Sequence, residues 1–86
     1  MEKIELTEME QHWLAVLYDK DLKYLARDRN NLIYAYSKIP IKEYSGWTSG
    51  YYFEVVPEIY FKFIEPMTKA YKILLTDSGT YEVAPC

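Results

Sequence analysis

Chemistry by side chains needs partners, and few candidates exist in this 86-residue chain. It has one histidine, His12, beside Trp13, and one cysteine, Cys86, as its last residue. A general base needs an orienting group, and a transition-metal site needs several nitrogen or sulfur ligands. Neither set can be assembled from one His and one terminal Cys. Asp19 and Asp21 lack the spacing of a calcium loop, and no glycine-rich run could cradle a phosphate. The expectation is a non-enzyme with no metal and no cofactor, in which His12 is a surface or boundary residue.

The residue types that remain are aromatic and basic. Ten tyrosines and two tryptophans contribute to a 17% aromatic fraction, and half of the chain is apolar. That composition excludes disorder, which requires low hydrophobicity and high net charge. Not every phenol can be buried, since each hydroxyl needs a partner or water, so some tyrosines should lie exposed as on interaction surfaces. The net charge of −3 is segregated. Residues 1–19 set Lys3 against Glu2, Glu5, Glu8, Glu10 and Asp19, leaving −4. Residues 20–42 carry Lys20, Lys23, Arg27, Arg29, Lys38 and Lys42 against Asp21 and Asp28, leaving +4. The remainder, 43–86, returns to −3. Segregation of this kind steers association without affecting the fold.

The basic stretch includes KYLARDRNNLIYAYSKIP, residues 23–40, which reads as a β-hairpin. Its runs Leu22–Arg27 and Leu32–Lys38 flank Asp28-Arg29-Asn30-Asn31. A three-residue loop closing on a left-handed residue would place Asn31 there, since Asn tolerates positive φ. This register puts Tyr24, Ala26, Leu32, Tyr34 and Tyr36 on one face, and Lys23, Leu25, Arg27, Ile33, Ala35 and Ser37 on the other. Before the hairpin, Thr7-Glu8-Met9-Glu10 has the form of a capping box. A helix over 7–19 follows, burying Met9, Trp13, Val16 and Leu17 and leaving Glu10, Gln11 and Ala15 off the stripe. Residues 39–50 read as a loop, and Tyr51–Val56 and Ile59–Ile64 as β-rich runs. Behind Pro66, the spacing of Met67, Ala70, Tyr71 and Leu74 favours a short helix at 68–75, while Ile73–Thr76 and Thr80–Val83 around Asp77-Ser78-Gly79 also fit a hairpin. Asp77-Ser78-Gly79 then makes a turn. The expected architecture is one α+β domain over 1–86, a helix on a three- to four-stranded antiparallel sheet.

Cysteine usage and the acidic, non-apolar start MEKIELTEME point to a cytoplasmic protein with no membrane span. Three binding roles fit. Tyr44, Trp47, Tyr51 and Tyr52 sit in or beside a glycine-containing loop and supply the residue types of protein hot spots. With them, Tyr34 and Tyr36 are candidate contacts, and Arg27 and Arg29 on the turn are candidate electrostatic partners. Alternatively the hairpin 20–42 binds single-stranded nucleic acid, its tyrosines stacking on bases and its cations meeting phosphates. The acidic total disfavours that reading, because electrostatics supplies most nonspecific affinity. A structural or virion protein is the third role, and a homodimer is compatible with the apolar composition.

Ala26-Arg27-Asp28, a turn, Leu32-Ile33-Tyr34-Ala35-Tyr36, Lys38 and Pro40, then a tryptophan, resembles small accessory proteins of phages and prophages of Gram-positive bacteria. Phe61-Lys62-Phe63-Ile64-Glu65-Pro66 is similar to a later run in the same proteins. The resemblance covers residues 23–70, with Asn31 where the relatives carry glycine and Lys38 one place early. It implies a phage context in which a small protein binds a host protein and inhibits or redirects it. A defence nuclease of the CRISPR type is one such target, making anti-CRISPR activity an expectation of this resemblance.

Overall fold

The structure is a computed structural model and describes residues 4–48 and 53–86. One helix, α1 (Glu8–Asp19), precedes seven strands: β1 (Tyr24–Arg27), β2 (Ile33–Tyr36), β3 (Ile41–Glu43), β4 (Gly46–Thr48), β5 (Phe53–Val56), β6 (Tyr71–Leu75) and β7 (Tyr81–Pro85). Five of them form an antiparallel sheet in the order β5-β2-β1-β6-β7, and β3 and β4 form a separate two-stranded hairpin. The class is α+β, as expected, with more strands than the three or four anticipated.

Local sequence explains both ends of α1. The Thr7 hydroxyl accepts the Glu10 amide at 3.1 Å while the Glu10 carboxylate accepts the Thr7 amide at 2.9 Å, completing the capping box. At the other end Asp21 takes a left-handed φ of 62°. The Asp21 and Leu22 amides then bond back to the Tyr18 and Leu17 carbonyls, at 3.0 and 2.9 Å. This is a Schellman closure without glycine, and the apolar contact that accompanies such closures is available from Leu17 and Leu22, both fully buried. The buried face differs from expectation, however. Glu10, Leu14 and Leu17 point inward, while Met9 stays half exposed and Trp13 and Val16 sit at the boundary. The stripe is rotated because the Glu10 carboxylate has buried amides to serve.

Hairpin β1–β2 has the expected register, with Tyr24 opposite Tyr36 and Ala26 opposite Tyr34. Asn31 is left-handed at φ 73°. The β6–β7 hairpin repeats the device, with Gly79 at φ 86° and its amide bonded to the Thr76 carbonyl. Three expectations are corrected. The helix at 68–75 is strand β6, because Tyr71 and Ile73 alternate with exposed Lys72 and Leu74, a period of two. Met67 at φ 56° also blocks helical entry. The loop at 39–50 contains the β3–β4 hairpin, turning on Tyr44-Ser45. Ile59–Ile64 forms successive turns rather than a strand, held by Tyr60 N to Pro57 O and Ile64 N to Phe61 O.

One sheet face carries Leu25, Ile33, Ala35, Val56, Tyr71, Ile73 and Val83, which form the main core with Leu14, Leu17, Leu22, Phe61 and Ile64. Thus α1 and the 57–67 segment share the cover of that face. Arg27 joins them. Its guanidinium donates to the carbonyls of Ile64 (2.6 Å), Asn31 (2.6 Å), Tyr60 (3.1 Å) and Phe61 (3.1 Å), with a longer contact to Glu58 O. Phe61 is consequently held from both sides in a left-handed conformation (φ 54°), its amide donating to Glu10 Oε2 and its carbonyl accepting from Arg27.

Candidate functional site

The opposite sheet face has no helix. By the strand registers it displays Tyr24, Ala26, Tyr34, Tyr36, Phe53, Val55, Lys72 and Leu74. Among the described residues the β3–β4 hairpin leans on it, packing Trp47 against the small cluster of Ala26, Tyr36 and Ala70. The Trp47 indole Nε1–H donates to the Arg27 carbonyl at 3.1 Å, and the Met67 amide donates to the same oxygen at 3.0 Å. One residue of β1 therefore orders both sides of the sheet, its side chain gripping the 58–64 turns and its carbonyl anchoring Trp47.

Between that hairpin and strands β2 and β5 lies an open cleft of about 350 Å³, lined by Asp28, Tyr34, Tyr36, Trp47, Thr48 and Phe53. Tyr34 meets Phe53 edge-on at 5.6 Å, while Tyr36 lies tilted to Phe53 at 6.0 Å and to Tyr34 at 6.3 Å. These spacings lie in the range of favourable aromatic pairs. Beside cleft-lining Phe53 (49% exposed) the apolar surface continues to Val55 (52%), and Leu74 (39%) is exposed farther away on the same sheet face. Strand β5 is also a sheet edge. The other edge is partly covered, because the Gln11 side chain bonds both the amide and the carbonyl of Tyr81 and Pro85 has no N–H to offer.

Asp28 gives the cleft its charge. Its Oδ1 accepts the Arg29 amide at 2.6 Å, and no ion pair to it forms among the described residues. Gly46 must be glycine beside it, since a Cβ there would lie 2.5 Å from Asp28 Oδ1, at a φ of +151°. Tyr36 is almost fully buried, and its phenol is pushed up to about 12 by burial first, then by Asp28 and Tyr34. A raised acid pKa means the folded state holds its proton longer than the unfolded chain, which releases it near 10. Its contribution to stability is complete below pH 10 and is lost as pH rises from 10 through about 12. In a 295 nm titration one phenol should ionise at about 12, two units above the ordinary tyrosine value of 10.0. Its apparent pKa should return to about 10 in Asp28→Asn only if the charge outweighed burial. A smaller fall is therefore expected, and no late-titrating phenol in the wild type would contradict the burial of Tyr36.

The residues picked from sequence disperse. Tyr34, Tyr36 and Trp47 converge on the cleft. Tyr44 is 94% exposed at the β3–β4 turn, where Arg29 stands 5.6 Å from its ring and donates to its carbonyl. Tyr51 lies outside the described residues. Arg27 requires a correction, since it is 3% exposed and its side chain is spent on backbone carbonyls rather than presented on the turn. The basic hairpin is broken up as well. Lys20 pairs with Glu54 at 3.0 Å, and Lys23 pairs with Asp21 while standing 4.6 Å from the Tyr18 ring. Sequence reasoning missed Phe53, Val55 and Asp28. The i, i+2 spacing of Phe53 and Val55 was visible, but their joining Tyr34 and Tyr36 depends on the β2–β5 register.

Catalytic candidates stay apart. His12 is exposed on the rim of a second, apolar groove of about 380 Å³, which Met9, Trp13, Val16, Ile59 and Tyr60 also line. Burial pushes the Cys86 thiol up, against the opposing influence of Lys72, which disfavours a reactive thiolate. No group of three His, Cys, Asp or Glu residues arranged to hold a metal occurs among the described residues. No helix among the described residues is long and apolar enough to cross a membrane. Comparison with protein-family models, curated proteins and solved structures finds no match.

Proposed function

We propose that this chain is a non-catalytic protein-binding domain that docks a partner on its helix-free sheet face and the adjoining β3–β4 hairpin. The observation that carries the reading is the patch of Tyr34, Phe53 and Val55 on β2 and β5 beside a half-buried Trp47, an apolar surface on strands whose other face carries the main core. Aromatic residues on a rigid sheet bind at low conformational cost, and contiguous exposed apolar area marks interaction sites. Backbone groups on the free edge of β5 add a means of fixing a partner's extended segment. The resemblance to phage and prophage accessory proteins supports a host protein as the partner, inhibited or redirected by occlusion of its own working surface. A CRISPR-type nuclease is one candidate target.

A single-strand-binding role has less support. Stacking residues and phosphate-binding cations must share one side of the sheet. Here Tyr24, Tyr34 and Tyr36 face away from Arg27, which is buried, while Lys20 and Lys23 are engaged elsewhere.

Phe53→Asp and Val55→Asp place carboxylates on half-exposed positions and should leave the fold intact. Immobilised wild-type protein should retain a discrete partner from a Gram-positive host lysate, and each variant should lose it, with a drop of at least about tenfold in captured amount. Equal capture by wild type and both folded variants would sink the assignment of this face.

A further inference from the structure

The geometry points to a specific occupant for the cleft between the β3–β4 hairpin and strands β2 and β5. We infer that Tyr34, Tyr36, Phe53 and Trp47 with Asp28 form a cage for the ammonium group of a lysine side chain on the partner. This inference names the chemistry by which the proposed docking face would recognise its target, and so rests on that reading.

Three observations converge. First, Tyr34, Phe53 and Trp47, with the nearly buried Tyr36, line a single concavity together with one carboxylate, and ring faces carry the negative quadrupole that attracts cations. Second, the rings are inclined to one another by 37°, 43° and 73°. Rings packed against one another at such angles offer no single flat face on which a planar guanidinium could stack, whereas a compact ammonium needs only a point of approach beside the carboxylate. Third, the site carries a charge that no ion pair among the described residues neutralises. Asp28 Oδ1 is used by the Arg29 amide, and Oδ2 makes no hydrogen bond among the described residues. Elsewhere this chain matches rings with its own cations: Lys23 over Tyr18, Arg29 over Tyr44 and Lys69 over Tyr71. None of the described lysines or arginines stands over the four cleft rings. Close packing of Gly46 on Asp28 holds the carboxylate at the cleft wall. A cation entering would pair with it.

The test needs no knowledge of the partner. Nα-acetyl-lysine methylamide, the arginine analogue and the uncharged norleucine analogue are titrated into the full chain and followed by ¹H–¹⁵N and aromatic NMR. The lysine derivative should shift the Trp47 indole N–H and the Phe53 and Tyr34 ring signals, with a dissociation constant on the order of 10 mM. The arginine derivative should bind more weakly, and the norleucine derivative should cause no saturable shift at these signals. Asp28→Asn, which keeps an acceptor for the Arg29 amide, should weaken the lysine derivative about tenfold. Phe53→Leu, at a half-exposed position, should weaken it about three- to tenfold while the spectrum remains folded. Equal binding of norleucine, indifference to Asp28→Asn, tighter binding of arginine, or no response to lysine would each overturn the inference. Partner capture lost in Phe53→Asp but lysine binding absent would leave the docking face standing and remove only the cage.

Discussion

Replacing Arg27 with methionine should lower the melting temperature by about 15–25 °C, the largest effect expected of any single exchange here. The guanidinium is buried and donates four short hydrogen bonds to the carbonyls of Asn31, Tyr60, Phe61 and Ile64. Hydrogen bonds to a charged group contribute about 1.5–3 kcal/mol each before water re-enters, so a net loss of about 3–5 kcal/mol is expected. Apolar replacement of a buried charge is sometimes neutral, because both members of an ion pair can be removed together. That route is closed here. The acceptors are main-chain carbonyls, which no side-chain exchange deletes. Arg27→Lys should recover little, since one ammonium cannot span four acceptors in the fork that a guanidinium provides. Burial also lowers the Arg27 pKa, an effect the nearby Glu58 opposes, and the group remains protonated at any ordinary pH. Thermal denaturation by circular dichroism measures the effect. A melting temperature within a few degrees of wild type would show that the 58–64 turns hold together without this residue.

Glu10→Ala should cost about 2–4 kcal/mol, roughly 10–20 °C, from a residue that composition would place on the solvent side of the helix. One carboxylate oxygen closes the capping box on the Thr7 amide, and the other receives the Phe61 amide from the far side of the core. Its loss frays the first turn of α1 and leaves a buried N–H without an acceptor at a residue already in a left-handed conformation. Glu10→Gln should restore only part. A neutral amide presents one oxygen and one NH₂, so it must set a donor against one of the two amide donors. Hydrogen exchange separates this from generic destabilisation: the Phe61 amide should lose protection in Glu10→Gln well before the β1 and β2 amides do. Uniform loss across all three would mean that Glu10 acts through the helix alone.

These two residues also show why the interior was only partly readable. Helical periodicity assigned Glu10 to the outer face, and hairpin patterning assigned Arg27 to an exposed basic patch. Both assignments follow from polarity, and both fail because polar side chains are drawn inward wherever a segment without regular structure turns its amides and carbonyls toward the core. The 57–67 segment is such a place. Its composition, PEIYFKFIEPM, is aromatic enough to suggest a strand. Phe61 and Met67 take left-handed conformations instead, and the backbone groups released from any ladder are met by Glu10 and Arg27.

The docking face was legible in part. Period-two alternation placed Tyr34 and Tyr36 together and opposite Leu25 and Ile33, as found. Trp47, a candidate contact by residue type, takes an intermediate position, anchored through its indole but lining the cleft. Phe53 and Asp28 could not be joined to this group from their own spacing. They reach it only through the β2–β5 pairing and the return of the β3–β4 hairpin across the sheet.

By itself the amino-acid sequence determined what short-range forces decide. These are the Thr7 cap, the turn at Asn31, the inside-outside alternation of the first hairpin and the α+β class, all set by interactions within about ten residues. Tertiary structure alone decided the number of strands and the inward turn of Glu10 and Arg27. It also assembled the cleft of Asp28, Tyr34, Tyr36, Trp47 and Phe53. Each of these depends on partners separated by long stretches of chain, and local preference is too weak to choose among them until the packed core makes one arrangement the lowest in free energy.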